Sequence, residues 1–77
     1  MALTMRRAFE IYAEEGPIIT PMAQALASNA LLVISPMLTF DEQESLKFAR
    51  DSAALGYGRK DHDAACARIR ERLGWES

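Results

Sequence analysis

The sequence predicts an all-α protein, a compact bundle of four short helices, and this bundle is expected to be oligomeric. Three observations support this prediction. Apolar residues recur three and four positions apart in several segments, as they do on one face of an α-helix. Turn and capping residues separate these segments, and no run of alternating β-branched residues indicates a strand. Finally, a chain of 77 residues is too short to bury a second core, so residues 1–77 are expected to form a single helical domain.

The first predicted helix ends at Gly16-Pro17, because a glycine followed by a proline does not continue a helix. Upstream of this turn, large apolar residues are spaced at i, i+4 and i+7, and charged residues occupy the remaining positions. This spacing predicts an amphipathic helix with one buried side. The residues predicted to form the buried stripe are Met5, Phe9 and Tyr12, with Ala8 and Ile11 beside them.

The second predicted helix runs from Pro21 to about Ile34. Thr20 is the expected N-cap, and Pro21 then occupies the first helical position. A proline is favourable there, because its missing N–H would have had no partner and its fixed φ is already helical. The helix is expected to stop before Pro36, since the residue that precedes a proline avoids the α conformation.

The third predicted helix begins with a capping box at Thr39. The Thr39 hydroxyl can accept a hydrogen bond from the Glu42 N–H, and the Glu42 carboxylate can reach back to the Thr39 N–H. Asp41 and Glu42 also lie at the positive end of the helix dipole. We expect this helix to persist to about Leu55 and to end in Gly56-Tyr57-Gly58.

The fourth predicted helix has Asp61 as its N-cap and ends at Gly74. Its apolar stripe has the spacing i, i+4, i+7 and i+11. The charged residues between these positions are expected to face water. The predicted stripe consists of His62, Cys66, Ile69 and Leu73, and the predicted solvent-facing residues are Arg68, Arg70, Glu71 and Arg72.

Residues 16–40 form an uncharged segment of 25 residues. One cysteine cannot form an intramolecular disulfide, so stability must come from helix packing or from association. The large aliphatic residues of the helix at 21–35 point in nearly every direction around its axis, more than three short neighbours can cover. We therefore expect this helix to pack inside its own chain and also against a second chain, most economically an identical one. The predicted interface residues are Met22, Leu26, Leu31, Leu32 and Val33.

Two other interpretations of the uncharged segment are open. A membrane span needs about 20 apolar residues, but the prolines limit the continuous helix to about 15 residues, or about 22 Å, short of a hydrocarbon core of about 30 Å. We therefore expect no membrane partner.

The second interpretation is the core helix of a monomer, but such a helix ordinarily keeps one charged face towards water, which this helix lacks. Glutamates rather than an apolar run follow the first two arginines, so the predicted localisation is cytoplasmic.

No combination of residues predicts catalysis or a metal site. The one histidine, His62, and the one cysteine, Cys66, are four residues apart and could touch, as in an activated thiolate pair. Both lie on the apolar stripe, where a free cysteine ordinarily acts as a small hydrophobic residue. Asp61 and Asp63 point about 200° apart around a helix, so one chain cannot gather all four residues around an ion. We expect a non-enzymatic protein without a catalytic residue, metal or cofactor.

The net charge of −2 conceals two halves of opposite sign. Charged residues sum to −4 over residues 1–45 and to +3 over residues 46–75. The basic half could steer the protein towards an anionic partner, or the halves could attract each other within a dimer. Tyr57 lies between two glycines and precedes a basic pair, which makes it the strongest candidate for contact with a ligand or partner. The predicted target surface consists of Tyr57, Arg59, Lys60, Arg68 and Arg72.

Residues 52–75, SAALGYGRKDHDAACARIRERLGW, resemble the helix-turn-helix of bacterial and phage regulators. They contain a small-residue helix, a glycine turn and a helix that ends in basic residues. The turn is one or two residues longer than the usual pattern, and His62 or Ala64 stands where a larger apolar residue is common. The resemblance implies a second helix in the major groove. Lys60, Arg68, Arg70 or Arg72 would then contact phosphates or base edges.

The sequence therefore predicts a small helical protein-interaction module that acts as a regulator, adaptor or inhibitor, of the kind found in phages and mobile elements. It is expected to self-associate through the apolar helix at 21–35 and to bind another protein through its polar surface. The alternative is a helix-turn-helix-like DNA-binding transcriptional regulator that uses residues 45–73, although the negative net charge counts against it. A small-ligand site between chains is a third possibility.

Overall fold

The computed structural model describes residues 4–75, and this part of the chain is entirely helical and irregular, without a strand. Its radius of gyration is 11.5 Å, the value expected for a compact domain of this length. The all-α prediction and the four predicted helices are therefore confirmed. The helices are α1 (Met5–Glu15), α2 (Pro21–Ile34), α3 (Phe40–Ala54) and α4 (Arg59–Leu73), and a short 3₁₀ turn, Ser35–Met37, follows α2.

Threonine hydroxyls cap the first three helices. Thr4 accepts from the backbone N–H of the third helical residue of α1 at 3.0 Å, and Thr20 does the same for α2 at 3.2 Å. Thr39 accepts from the Glu42 N–H at 3.1 Å, and the Glu42 carboxylate accepts from the Thr39 N–H at 2.9 Å. The predicted capping box is thus confirmed, and each cap satisfies an N–H that has no partner inside its helix.

The start of α4 differs from the prediction. The N-cap is Gly58 in the left-handed conformation, with φ of 85°, and the helix begins at Arg59. The prediction that Asp61 is the N-cap is therefore wrong. Two left-handed glycines, Gly56 and Gly58, reverse the chain within a short turn, so the helix starts three residues earlier than predicted. Asp61 then lies in the first turn, where its negative charge still interacts favourably with the helix dipole.

The four helices form two packed pairs, with α1 against α2 and α3 against α4. The pairs meet where α4 crosses α1. Phe9 and Tyr12 of α1 are fully buried, whereas Met5, predicted to share their stripe, is 41% exposed because it lies in the first turn at the end of the bundle. The hydrophobic core comprises Ala8, Phe9, Tyr12, Ala27, Ala30, Ile34, Leu38, Leu46, Ala65, Cys66 and Ile69.

Two bidentate ion pairs join the acidic and the basic halves of the chain. Arg70 donates two hydrogen bonds of 3.0 Å to Glu10 of α1, and Arg72 donates two of 2.6 Å to Glu42 of α3. In each pair the hydrogen bonds from the arginine lower the pKa of the glutamate below its ordinary value of 4.5. Arg70 is half-buried by this contact, so the expectation that it faces water is wrong, whereas Arg72 is exposed as expected. The opposite charges of the two halves attract each other within one chain.

The C-terminus of α4 returns to the core through a glycine cap. Gly74 adopts a φ of 73°, and the N–H of Trp75 donates to the carbonyl of Arg70 at 2.8 Å. This turn places the Trp75 ring 5.7 Å from the ring of Phe9, while the Arg70 guanidinium lies 5.3 Å from the centre of the same ring. Phe9 is consequently covered by an aromatic ring and by a cation that is already paired with Glu10.

We predict that Gly58→Ala destabilises the protein more than Gly56→Ala. Both glycines have a positive φ, which costs about 1–2 kcal/mol for any residue with a Cβ. A Cβ at Gly58 would also lie 2.7 Å from the Cβ of Ser52, whereas a Cβ at Gly56 meets nothing within 4 Å. Such overpacking adds about 1–3 kcal/mol. Urea denaturation of both variants measures the difference, and equal losses would contradict the described turn.

Candidate interaction surfaces

The outward side of α2 is a continuous apolar surface. Met22 and Leu32 are each 75% exposed, and Leu26 is 42% exposed. Ile19, in the loop that leads into the helix, is also largely exposed. No charged residue occurs in α2, so no charge borders these side chains along the helix. We name this the α2 face and define it as Ile19, Met22, Ala25, Leu26, Asn29 and Leu32.

The inward side of α2 explains why its large residues lie outside. Alanines at 23, 27 and 30 are buried, and Ile34 is the one large residue that is fully buried on this side. Small side chains let two helix backbones approach closely, so α1 and α2 pack through a seam of alanines. Met22 and Leu32, on the opposite side, are left mostly exposed. The two sides of the helix therefore differ in the size of their side chains more than in polarity.

The predicted interface on α2 is only partly exposed. Met22, Leu26 and Leu32 lie on the α2 face as expected. Leu31 and Val33 are half-buried and pack against the core, so they offer less surface to a second chain than the other three predicted residues. Their positions in the last turn of α2, beside Ile34, bring them within reach of the 3₁₀ turn and the core below it.

A second exposed apolar stripe lies on α3, and the sequence analysis did not identify it. Phe48 is 77% exposed, and Phe40 and Leu55 are nearly as exposed. The three residues lie within about 80° of one another around the helix axis. Their spacing of eight and seven residues was a usable signal, but the charged residues Glu44, Lys47 and Asp51 between them make the same stripe appear polar in the sequence.

A shallow groove runs between α3 and α4 beside Phe48. It consists of two adjoining depressions of about 270 and 250 Å³ that share Ser45, Ala65 and Arg68. Its buried lining residues are Ala49, Ala65 and Ile69, and its exposed lining residues carry charges of both signs. Arg68, predicted to belong to the target surface, is one of these exposed residues. The further residues lining the groove are Asp41, Glu42, Phe48, Ala49, Asp61, Ala64, Ile69 and Arg72.

The remaining residues of the predicted target surface do not form one cluster. Tyr57 and Lys60 are exposed, and Arg59 pairs with Asp63 at 3.3 Å. Arg72 is held by Glu42 and also donates to the Met37 carbonyl at 2.8 Å, so its guanidinium has a structural role. The first and last turns of α4 are about 18 Å apart along the helix. The predicted basic surface therefore divides into two separate regions.

His62 and Cys66 touch inside the core. The Cys66 Sγ lies 3.8 Å from His62 Nε2, and the same nitrogen lies 3.2 Å from the carbonyl oxygen of Ala13. Burial raises the pKa of the Cys66 thiol to about 11, so this thiol, which is 1% exposed, stays protonated at neutral pH. Burial likewise lowers the pKa of His62, which favours a neutral ring. A neutral ring that donates from Nε2 provides a hydrogen bond to the last turn of α1.

Arg50 and Tyr12 complete a buried polar cluster at the same end of α1. The Arg50 guanidinium lies 5.8 Å from the centre of the Tyr12 ring, and burial raises the pKa of the tyrosine to about 12. A Cβ on Gly16 would lie 3.0 Å from the His62 ring and 3.4 Å from Arg50, so this glycine permits close approach. Within residues 4–75, the Tyr12 hydroxyl, two Arg50 nitrogens and His62 Nδ1 are buried without a hydrogen-bond partner.

Comparisons with known proteins give no indication of function. No known protein family, curated protein or solved structure matches this chain. None of the helices within residues 4–75 combines the length and the apolar character that crossing a bilayer requires. The same residues contain no group of three or more His, Cys, Asp or Glu side chains placed to hold a metal ion.

We predict that the free energy of unfolding decreases as the pH falls below about 6.5, the ordinary pKa of histidine. Burial lowers the pKa of His62 in the folded state, so the unfolded chain binds the proton more strongly and acid favours unfolding. His62→Gln keeps an N–H donor for Ala13 but does not titrate, and its stability should change less between about pH 6.5 and pH 5. Denaturant titrations at several pH values measure this difference, and parallel curves would contradict it.

Proposed function

We propose that this chain is a small, non-enzymatic protein-interaction module that self-associates through the α2 face and acts as a regulator, adaptor or inhibitor of another protein. The observation that carries the proposal is the charge-free α2 face, on which Met22 and Leu32 are three-quarters exposed. Burying one large apolar side chain contributes about 1.5–3 kcal/mol. Contiguous exposed apolar surface of this kind is typical of interaction sites.

An identical chain is the partner that best fits the α2 face. A charged side chain placed against it would lose its hydration without gaining an opposite charge, which is unfavourable. The α2 face of a second copy carries no charge in the helix and offers large side chains that match its own. A two-fold arrangement uses the same surface on both chains. A stable interface buries about 800 Å² per chain. Ile18 and Ile19, just before the helix, add exposed apolar area to that of α2.

The target surface of the proposed module lies on the other helical pair. Phe48, Leu55 and Tyr57 provide exposed apolar and aromatic area, and Arg68 provides a cation on the rim of the adjoining groove. Aromatic residues and arginine are enriched at the centres of protein interfaces. With the α2 face used for self-association, this surface would be presented once by each chain. A dimer would then bind two copies of its target, one on each chain.

We predict that Leu32→Glu and Met22→Glu each convert a dimer to a folded monomer. Both residues are exposed, and glutamate suits a helix as well as leucine or methionine does, so the fold should survive. A carboxylate buried without a partner costs several kcal/mol, which corresponds to a loss of more than about 100-fold in affinity. Light scattering after size-exclusion chromatography, over a range of concentrations, measures the mass, and circular dichroism verifies the fold.

Phe48→Glu is the matched control for this experiment, because Phe48 is equally exposed but lies on α3. Its mass should equal that of the unmodified protein. An unmodified protein that remains monomeric at every concentration would contradict the proposed self-association. Dissociation by Phe48→Glu, with no effect of Leu32→Glu, would assign the interface to α3 instead.

The alternative function, a helix-turn-helix-like DNA-binding regulator, receives less support from the surface of α4. The residues at the centre of its exposed side are Lys60, Ala64, Ala67 and Glu71, which bring one positive and one negative charge. A groove-binding helix ordinarily presents several donors and cations to the DNA.

We therefore expect weak or undetectable binding to random duplex DNA at low salt, measured by fluorescence anisotropy. Tight binding that weakens steeply as salt is added would instead support the DNA-binding function. Lys60→Glu provides the control in that case, since it reverses the one positive charge at the centre of the exposed side of α4.

A further inference from the structure

The α2 face contains one strongly polar residue, Asn29, at its centre. Met22, Leu26, Asn29 and Val33 lie within about 60° of one another around the helix axis, so the amide of Asn29 projects among the apolar side chains. Asn29 is exposed. The other amide of the helix, Gln24, is half-buried and donates to the carbonyls of Gly16 and Ile18. Gln24 thus holds the α1–α2 loop, while Asn29 faces outward.

The spacing on the α2 face is that of a heptad repeat. Met22 and Asn29 are seven residues apart, and so are Ala25 and Leu32, with three residues from Met22 to Ala25. These positions correspond to a and d of a coiled coil, which places Asn29 at an a position. Ala25, the small residue at the first d position, is exposed and would allow a second helix to approach closely.

The orientation of two α2 helices decides what the Asn29 amide meets. In a parallel, in-register pair each a position faces the same a position, so two asparagines meet and one amide can donate to the other. In an antiparallel pair an a position faces a d position, and Asn29 would lie against alanine or leucine. An amide buried without a partner loses its hydrogen bonds to water and gains none in return, which is unfavourable. Hydrogen bonding therefore favours the parallel pair.

We infer that α2 packs in parallel against α2 of a second copy and that Asn29 pairs with the partner's Asn29 across the two-fold axis, so that this residue determines the register and orientation of the dimer. The inference rests on the proposed self-association and adds to it the residue that specifies the pairing. A single polar a position in an apolar seam lowers stability while it excludes other registers and oligomers. Asn29 is thus a specificity residue, whereas Met22 and Leu32 supply affinity.

Cysteine scanning of the protein tests this inference. In a Cys66→Ala background, Met22→Cys and Ala25→Cys, which both retain Asn29, are oxidised mildly and separated on a non-reducing gel. A disulfide needs Cα atoms about 4.4–6.8 Å apart, and a parallel pair brings each a and each d position opposite its own copy. We expect both variants to run mostly as covalent dimers.

Two matched controls accompany the test. Ser28→Cys is exposed and adjacent to Asn29, but its side chain is rotated by about 100° from that of Asn29 and lies at the edge of the seam, and Ala67→Cys is exposed on α4. Both should remain largely monomeric on the gel.

The outcomes separate the inference from the proposed function. If the unmodified protein is a dimer by light scattering but Met22→Cys cross-links no better than Ser28→Cys, or cross-links equally well when Asn29→Leu is added, the role of Asn29 is refuted and self-association stands. Cross-linking at position 25 without cross-linking at position 22 would refute the in-register parallel orientation. If the unmodified protein is monomeric at all concentrations, both the proposed self-association and the inference fail.

Discussion

Burial of one side of α1 is the constraint on which the rest of the structure depends. Phe9 and Tyr12 are fully enclosed, and every other helix contributes to enclosing them. The alanines of α2 cover one flank, Trp75 and Arg70 cover Phe9, and His62 with Arg50 covers the end of the helix near Tyr12. A chain of 77 residues has few large side chains with which to form a core, so these contacts determine how the two helical pairs meet.

Close packing of α2 on α1 has a direct consequence for the outer surface. Because small residues form the α1–α2 seam, the large residues of α2 lie on the opposite side. A helix with leucines inward would have filled the core of a monomer and left alanines in water. The arrangement observed does the reverse, and the uncharged segment therefore extends from the core to the surface. This is the structural basis for proposing that α2 serves two interfaces, one within its chain and one with a second copy.

The charged residues are arranged differently from the apolar ones. Glu10 with Arg70 and Glu42 with Arg72 connect the halves of the chain, so much of the charge asymmetry is satisfied internally. His62 donates to α1 from inside the core, at a point where burial keeps its ring neutral near neutral pH. The bonds from Arg70 to Glu10 and from His62 to Ala13 thus add polar contacts where the two helical pairs meet. The helix α2 is left without charge, and on the proposed pairing the amide of Asn29 would supply the specificity of its outer face.

Local chemistry allowed the sequence by itself to determine the helices and most of their ends. Threonine caps, the capping box at Thr39 and the glycine at 74 involve residues only three or four positions apart. They can therefore be recognised from the sequence without knowledge of the tertiary structure. The sequence also indicated that α2 has more large apolar residues than the neighbouring helices can cover. Only the tertiary structure decided which side of α2 is covered, that Arg70 and Arg72 pair with distant glutamates, and that Phe48 is exposed. These outcomes depend on which helices become neighbours, and helical periodicity alone carries no information about the neighbour.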